Sequence, residues 1–73
     1  MNNRVAYTTV VVKGSYPIGY EIGLAIENVK GYAPITAYEP TTDKQNLENE
    51  VDRLNEQLGL DKYQAFEIVF SSM

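Results

Sequence analysis

Residues 41–60 read TTDKQNLENEVDRLNEQLGL, and this stretch decides the fold because a start signal, an apolar stripe and a stop signal agree within it. Thr42 and Gln45 have the spacing of a capping box, in which each side chain bonds the backbone N–H of the other residue. Gly59 supplies the left-handed residue that commonly ends a helix. The sequence therefore predicts a helix over residues 42–58.

The predicted helix has one apolar side. Its apolar residues recur at spacings of four, three and four, which places them on one face: Leu47, Val51, Leu54 and Leu58. Beyond Gly59, we expect Leu60 to fold back on Leu54. A stripe of this kind predicts that the helix packs against a sheet.

The upstream segments predict that sheet. Residues 4–13 are rich in β-branched residues and tyrosine, and they are apolar on both sides, which is typical of a central strand or one covered by a partner. Residues 20–29 alternate cleanly, and the turn at 14–19 should join the two strands into an antiparallel hairpin. Residues 30–34 predict a second turn. Residues 35–39, with a proline at each end, predict a short third strand at an edge.

The last segment, residues 61–73, fits two structures. Asp61 and Gln64 repeat the capping geometry. As a helix, the segment groups its large apolar residues on one side: Tyr63, Phe66, Val69, Phe70 and Met73. As a strand, it would align Phe66, Ile68 and Phe70 on one face. The cap and the polar opposite side favour the helix.

These elements predict an α+β fold in which one long helix and a short C-terminal helix pack on one face of a small three-stranded antiparallel sheet. The order is β-β-β-α-α, with β-β-β-α-β as the alternative. The 73 residues allow a single domain, 1–73, and a chain this short buries only about 60% of its unfolded surface.

Composition excludes several kinds of chemistry. The chain has no cysteine and no histidine, so disulfides, Cys/His zinc sites and histidine acid–base catalysis are ruled out. The acids are scattered, and no loop has the alternating ligands of a calcium site. The sequence therefore predicts no catalytic, cofactor-binding or metal-binding residue, and a protein that is not an enzyme.

The charge balance indicates the kind of partner. Ten acids and six bases give a net charge of −4, which argues against direct nucleic-acid binding and suits a protein with a basic surface. No apolar run is long enough to span a membrane. The first residues, Met-Asn-Asn-Arg, do not have the pattern of a secretion signal, so we expect a cytoplasmic protein.

Three acids form a stripe, here called the acidic ridge: Glu48, Asp52 and Glu56. They recur every four residues, about 6 Å apart on a helix, where like charges cost a few tenths of a kcal/mol. The functional interpretation is a surface that meets a basic groove on a partner protein, with a spacing close to that of successive phosphates. The competing interpretation is an ordinary solvated face.

Two other features suggest contact surfaces. Tyr16, Tyr20 and Tyr32 lie in or beside the predicted turns, and they either form a recognition edge or cap a small core. Residues 9–12, Thr-Val-Val-Val, form an adhesive β segment if they lie at an edge. The second expectation is that the chain forms a homodimer or another homo-oligomer, because association would add buried apolar surface to a domain with a small core.

Residues 54–61 (LNEQLGLD), 65–69 (AFEIV) and 71–73 (SSM) resemble the C-terminal helical pair of small, mostly uncharacterised bacteriophage and prophage accessory proteins. The resemblance covers about a third of the chain, supports a helical last segment and implies a protein of the host cytoplasm. Such phage proteins include inhibitors of host defence and of host polymerases, some of which mimic DNA.

The combined prediction is a non-enzymatic protein-binding module that inhibits or modulates a host protein through the acidic ridge. A self-assembling structural protein is the alternative.

Overall fold

A computed structural model describes residues 3–35 and 38–73 of the chain. Within them it places five elements, in chain order: β1 (Val5–Val12), β2 (Gly19–Ile26), β3 (Tyr32–Pro34), α1 (Lys44–Gln57) and α2 (Lys62–Ser71). The strands form one antiparallel sheet with β2 between β1 and β3. The α+β class and the order β-β-β-α-α are confirmed, and the strand alternative for the last segment is wrong.

The predicted hairpin is confirmed. β1 and β2 pair over their whole length, with Thr9 opposite Ile22. β2 ends at Ile26, earlier than the predicted residue 29. Asn28 has a φ of 63°, in the left-handed region that asparagine tolerates and that a strand does not use.

The predicted position of the third strand is wrong. Residues 35–39 were expected to form it, but β3 is Tyr32–Pro34, and residues 36–37 lie outside the described residues. The Ile35 N–H still donates to β2, and the Tyr38 N–H donates to the Ile35 carbonyl at 3.2 Å. The proline in β3 is tolerated because this strand is at the sheet edge, as predicted.

The two helices pack on opposite faces of the sheet, which corrects the prediction that they share one face. α2 contributes to a buried cluster of Ala6, Ala65 and Ile68. α1 contributes to a second cluster of Ile22, Leu47 and Val51. Ala6 lies opposite Ala25 in β2, three residues from Ile22, and side chains alternate between faces, so the two clusters lie on different sides of the sheet.

This arrangement explains why β1 is apolar on both sides. Its two faces are covered by α1 and α2 of the same chain, and β1 itself is an edge strand. The central position that its pattern favoured belongs to β2. A strand can thus look central in sequence when helices cover both of its faces.

The N-cap of α1 lies one residue later than predicted, at Asp43 instead of Thr42. Asp43 is the N-cap, and its Oδ1 accepts a hydrogen bond from the Asn46 N–H at 3.1 Å. The predicted box between Thr42 and Gln45 is therefore wrong, because an aspartate at the next position caps at least as well as threonine.

The buried side of α1 departs from the predicted stripe at its C-terminal half. The buried residues are Leu47, Val51 and Asn55. Leu58 is 44% exposed, and Leu60 packs against the cluster under α2, whereas Leu54 packs against the other cluster. Gly59 closes the helix with a φ of 79°, as predicted.

The capping box of α2 is confirmed. The Gln64 N–H donates to Asp61 Oδ1 at 2.8 Å, and the Asp61 N–H donates to Gln64 Oε1 at 3.0 Å. These two bonds satisfy donors that would otherwise be unpaired at the helix start.

The side of α2 on which the sequence groups the large apolar residues is not the buried side. Ala65 and Ile68 face the sheet, whereas four of the five grouped residues are exposed: Tyr63, Phe66, Phe70 and Met73. Ala6, Ala25 and Ala65 are all small and buried, so the helix can approach the sheet closely on this side. Hydrogen bonds from the Ser72 hydroxyl to the Ile26 carbonyl, and from the Gly31 N–H to the Ser72 carbonyl, both at 2.8 Å, fix that orientation.

An ion pair joins the strand ends at the Val5 end of β1. The Arg4 guanidinium donates to Glu27 Oε2 at 2.7 Å, and this hydrogen bond outweighs burial and lowers the pKa of Glu27 from its ordinary value of 4.5. A carboxyl group with a lowered pKa stabilises the folded state above its ordinary pKa and loses that contribution as the pH falls through the lowered value.

We therefore expect the stability difference between the native chain and Glu27→Gln to be constant near neutral pH and to shrink below pH 4.5. Urea unfolding at a series of pH values measures it. A difference that grows on acidification would contradict the assigned pair.

Candidate functional site

The outer edge of β1 carries backbone groups that are free to bond. The Tyr7 N–H and C=O bond a side chain of α1 instead of β2, and in an antiparallel pair every second residue points its backbone groups the same way. Thr9 and Val11 therefore also point theirs outward. Within residues 3–35 and 38–73, β2 is the only strand that pairs with β1, and no hydrogen bond reaches those groups of Thr9 and Val11.

Asn55 limits this open edge at one end. Its Oδ1 accepts from the Tyr7 N–H at 2.7 Å and its Nδ2 donates to the Tyr7 carbonyl at 3.0 Å, so the amide takes the place of a neighbouring strand. The side chain is 5% exposed, and both of its polar ends are used. Between Tyr7 and the C-terminal end of β1, the open edge thus comprises Thr9 and Val11, and Tyr7 is closed.

One wall of the edge is apolar. A groove of about 780 Å³ runs along β1, and Phe66, Val69 and Met73 of α2 line it together with Thr9 and Val11. Phe66 is 63% exposed, Met73 is 77% exposed, and the Phe66 ring stacks on Phe70 with centroids 5.9 Å apart. Large rings left in water at a strand edge are typical of a surface that a partner covers.

The other wall carries charges of both signs, because Lys44 and Lys62 line the groove as well as two acids. The acids are Glu48 and Asp52 of α1. Their carboxylates lie 3.7 Å from Lys44 Nζ and 3.6 Å from Lys62 Nζ, and both side chains remain more than two-fifths exposed. These exposed ion pairs are weak and can be exchanged for other cations.

The structure brings only part of the acidic ridge to this groove. Glu56 lies farther along α1, where it lines a separate groove with Asp61 and Gln64 at the junction of the two helices. Lysines also accompany the other two acids of the ridge, so its local charge is smaller than the sequence spacing alone indicates.

The three tyrosines do not form one edge. Tyr16 lies in the β1–β2 turn and is 99% exposed. Tyr20 lines the groove on the α1 side, with Lys44 Nζ 5.7 Å from its ring centroid. Tyr32 is on the opposite face of the sheet, because it pairs with Ala25, and it lines a second groove of about 430 Å³ with Val10 and Met73.

The sequence analysis grouped Phe66, Phe70 and Met73 on one side of a helix and did not assign them to a site. A usable signal was present in the same segment. Ala65 and Ile68 make the other side of α2 apolar as well, and a short helix that is apolar on both sides has one more apolar face than a single sheet can cover.

Other kinds of site find little support in residues 3–35 and 38–73. They contain no cluster of three or more acids able to hold a metal ion. None of their helices has the length and apolar character needed to cross a bilayer. What the groove offers is backbone hydrogen bonding, apolar contact and two exposed carboxylates that are each paired with a lysine.

Comparisons with protein-family models, with curated proteins and with solved structures return no match for this chain.

Proposed function

We propose that this chain is a non-enzymatic protein-binding module that takes up an extended segment of a partner protein as an added strand beside β1. The observation that carries the proposal is the pair of outward-facing residues Thr9 and Val11, whose N–H and C=O groups are bonded by none of the residues that the structure describes and lie in a groove with two chemically different walls. Strand addition at such an edge is a recurring mode of peptide recognition.

The walls define the chemistry of the partner segment. Successive side chains of a strand point to opposite faces, so one set would meet Glu48 and Asp52 and the other would meet Phe66 and Met73. A segment that alternates lysine or arginine with apolar residues fits both walls if its cations replace Lys44 and Lys62 beside the two acids. The two acids of the ridge thus supply charge, and α2 supplies the contact area that the tyrosines were expected to provide.

For the biological setting, we propose the one that the resemblance to phage proteins implies. A phage- or prophage-encoded accessory protein in the host cytoplasm would use this edge to occupy a basic segment of a host protein and inhibit or modulate it. Backbone pairing at the edge is compatible with many sequences, and the charged wall adds selectivity and salt dependence.

Selection of short displayed peptides on the immobilised native protein tests the proposal. We expect the recovered peptides to alternate basic with β-branched or aromatic residues. Val11→Pro should weaken their binding at least about tenfold, because it removes an edge donor. Val11→Thr keeps the donor and the strand preference, so it should bind like the native chain.

Charge is tested separately. Replacing Glu48 with glutamine and Asp52 with asparagine should flatten the salt dependence of peptide binding, measured by fluorescence anisotropy. Thermal unfolding of each variant shows that it is folded. Peptides that bind Val11→Pro as tightly as the native chain, or a selection that recovers none, would refute strand addition.

A further inference from the structure

We infer that, in the free protein, the open edge of β1 pairs with β1 of a second copy around a twofold axis at Val10. This inference goes beyond the proposed function and does not rest on it, since the pairing would exist even if no foreign partner binds. It makes the dimer the resting state and implies that a partner segment and a second copy compete for one edge.

The register follows from the two open residues. Antiparallel pairing around Val10 places Thr9 of one copy opposite Val11 of the other, and Val11 opposite Thr9. Both residues point their backbone groups outward, so each of these pairs can exchange both of its N–H···O=C bonds. Val10 then faces its own counterpart as a pair without hydrogen bonds. A twofold register with its axis at Val10 therefore uses all the open backbone groups of Thr9 and Val11.

The same register brings opposite charges together. Lys13 directly follows β1 and would leave the ladder beside Tyr7 of the other copy, because Asn55 already occupies the position opposite Tyr7. Tyr7 is the residue that Asn55 bonds, and Asp52 precedes Asn55 by about one helical turn. Lys13 is exposed and forms no ion pair with any residue in the described ranges. Asp52 already pairs with Lys62 at 3.6 Å, so Lys13 of the other copy would share or replace that partner, and the symmetry places it there twice.

The exposed side of α2 fits a second copy better than a single strand. Neighbouring antiparallel strands in one sheet are related by a twofold axis perpendicular to it, so both α2 helices would lie side by side on one face. Phe66, Val69 and Met73 already project over the β1 edge, where the second copy would cover them. The product is a continuous six-stranded sheet with a larger shared core, which a 73-residue domain needs.

Sedimentation equilibrium over a dilution series tests the association. The monomer has a mass of 8.2 kDa, and we expect the native chain to approach twice that mass at high concentration and to dissociate on dilution. Val11→Pro should weaken dimerisation at least about tenfold, because both symmetric pairs lose a bond, whereas Val11→Thr should not. A native chain that is monomeric at every concentration, or a Val11→Pro chain that dimerises as well as the native one, overturns the inference.

A charge exchange tests the register itself. Lys13→Glu and Asp52→Lys should each weaken the homodimer, because both contacts become repulsive. Mixing the two variants should restore association, because both contacts are then attractive, and native mass spectrometry with one isotope-labelled chain detects the mixed dimer. In mixed-label NMR samples of the native chain, a contact between the Val10 Hα protons of the two copies should appear.

Failure of the mixed dimer to form, or absence of the Val10 contact in a dimeric sample, overturns this register. The peptide selection would be unaffected by that result if the native chain is immobilised at a density at which it is monomeric, because the selection then measures binding to the same edge without competition from a second copy. Conversely, dimerisation with the predicted register and no recovered peptide would refute the proposed function alone.

Discussion

Ile68→Ala should destabilise the domain by about 2–5 kcal/mol, whereas Phe66→Ala should change its free energy of unfolding by less than about 1 kcal/mol. Ile68 is 0% exposed and packs between Ala6 and Ala65, so shortening it leaves a cavity. Phe66 loses a ring that is already mostly in water. The usual expectation, that the larger deletion costs more, is reversed because α2 turns its large residues outward.

The measurement is urea unfolding in the Val11→Pro background, where Phe66 has no second copy to cover it. A domain of this size has little stability to spare, so Ile68→Ala is expected to be partly unfolded even without urea. Ile68→Val, with an expected cost of about 0.5–1.5 kcal/mol, keeps the comparison measurable. If Phe66→Ala proved the more damaging change, the orientation of α2 would be the one that the sequence favoured.

The orientation of α2 could not be predicted from its own sequence. The start of the helix was predictable, because Asp61 and Gln64 bond each other's backbone within one turn. Its buried side was not, because both sides are apolar and the choice depends on the sheet. Ala6 in β1 and Ala25 in β2 are small, so the side of α2 that carries Ala65 can pack closely against them. The buried side of α2 is therefore determined by the fit between segments that are far apart in the chain.

The edge position of β1 in the sheet could not be predicted, for a related reason. A strand that is apolar on both faces indicates cover on both sides, and the sequence does not say whether helices, strands or a second subunit provide it. Here α1 and α2 provide it, and the edge of the same strand stays open. The class and order of elements followed from local signals, whereas the placement of layers depended on contacts between residues far apart in the chain.

The candidate site was predictable only on its acidic side. Glu48 and Asp52 were selected because their spacing aligns them on a helix, which is a local property. The open backbone groups of Thr9 and Val11 have no signature in residue type, since every residue except proline carries them. They become a site only because β1 is at an edge and two helices form walls around it.

Asn55 is the residue whose role the sequence concealed most completely, and its replacement has the second large expected effect. It interrupts the apolar stripe of α1, and yet it is buried, because its amide bonds both backbone groups of Tyr7. Asn55→Ala should cost about 1–3 kcal/mol, since it leaves a partly buried donor and acceptor unpaired. Asn49→Ala, on the exposed side of the same helix, should stay within about 0.5 kcal/mol.

Asn55→Asp keeps the hydrogen-bond acceptor of the side chain and removes its N–H donor. An ionised carboxylate can accept from the Tyr7 N–H but would face the Tyr7 carbonyl without a proton, so the variant should be less stable than Asn55→Ala near neutral pH. Burial beside a carbonyl raises the pKa of such a carboxyl in the folded state, so its contribution is present at low pH and is lost as the pH rises through the raised value. The variant should therefore regain stability relative to Asn55→Ala on acidification.

Removal of the amide should also lengthen the open edge, because Tyr7 would join Thr9 and Val11 in offering free backbone groups. Asn55→Ala is expected to lose hydrogen-exchange protection at the Tyr7 N–H while the Thr8 N–H, which points toward β2, keeps it. An unpaired edge of that length favours further strand pairing, so the variant should associate more readily even though each monomer is less stable. If protection at Tyr7 survived the substitution, the amide would not be what closes this end of the strand, and the limit on the open edge would have to come from the packing of α1 itself.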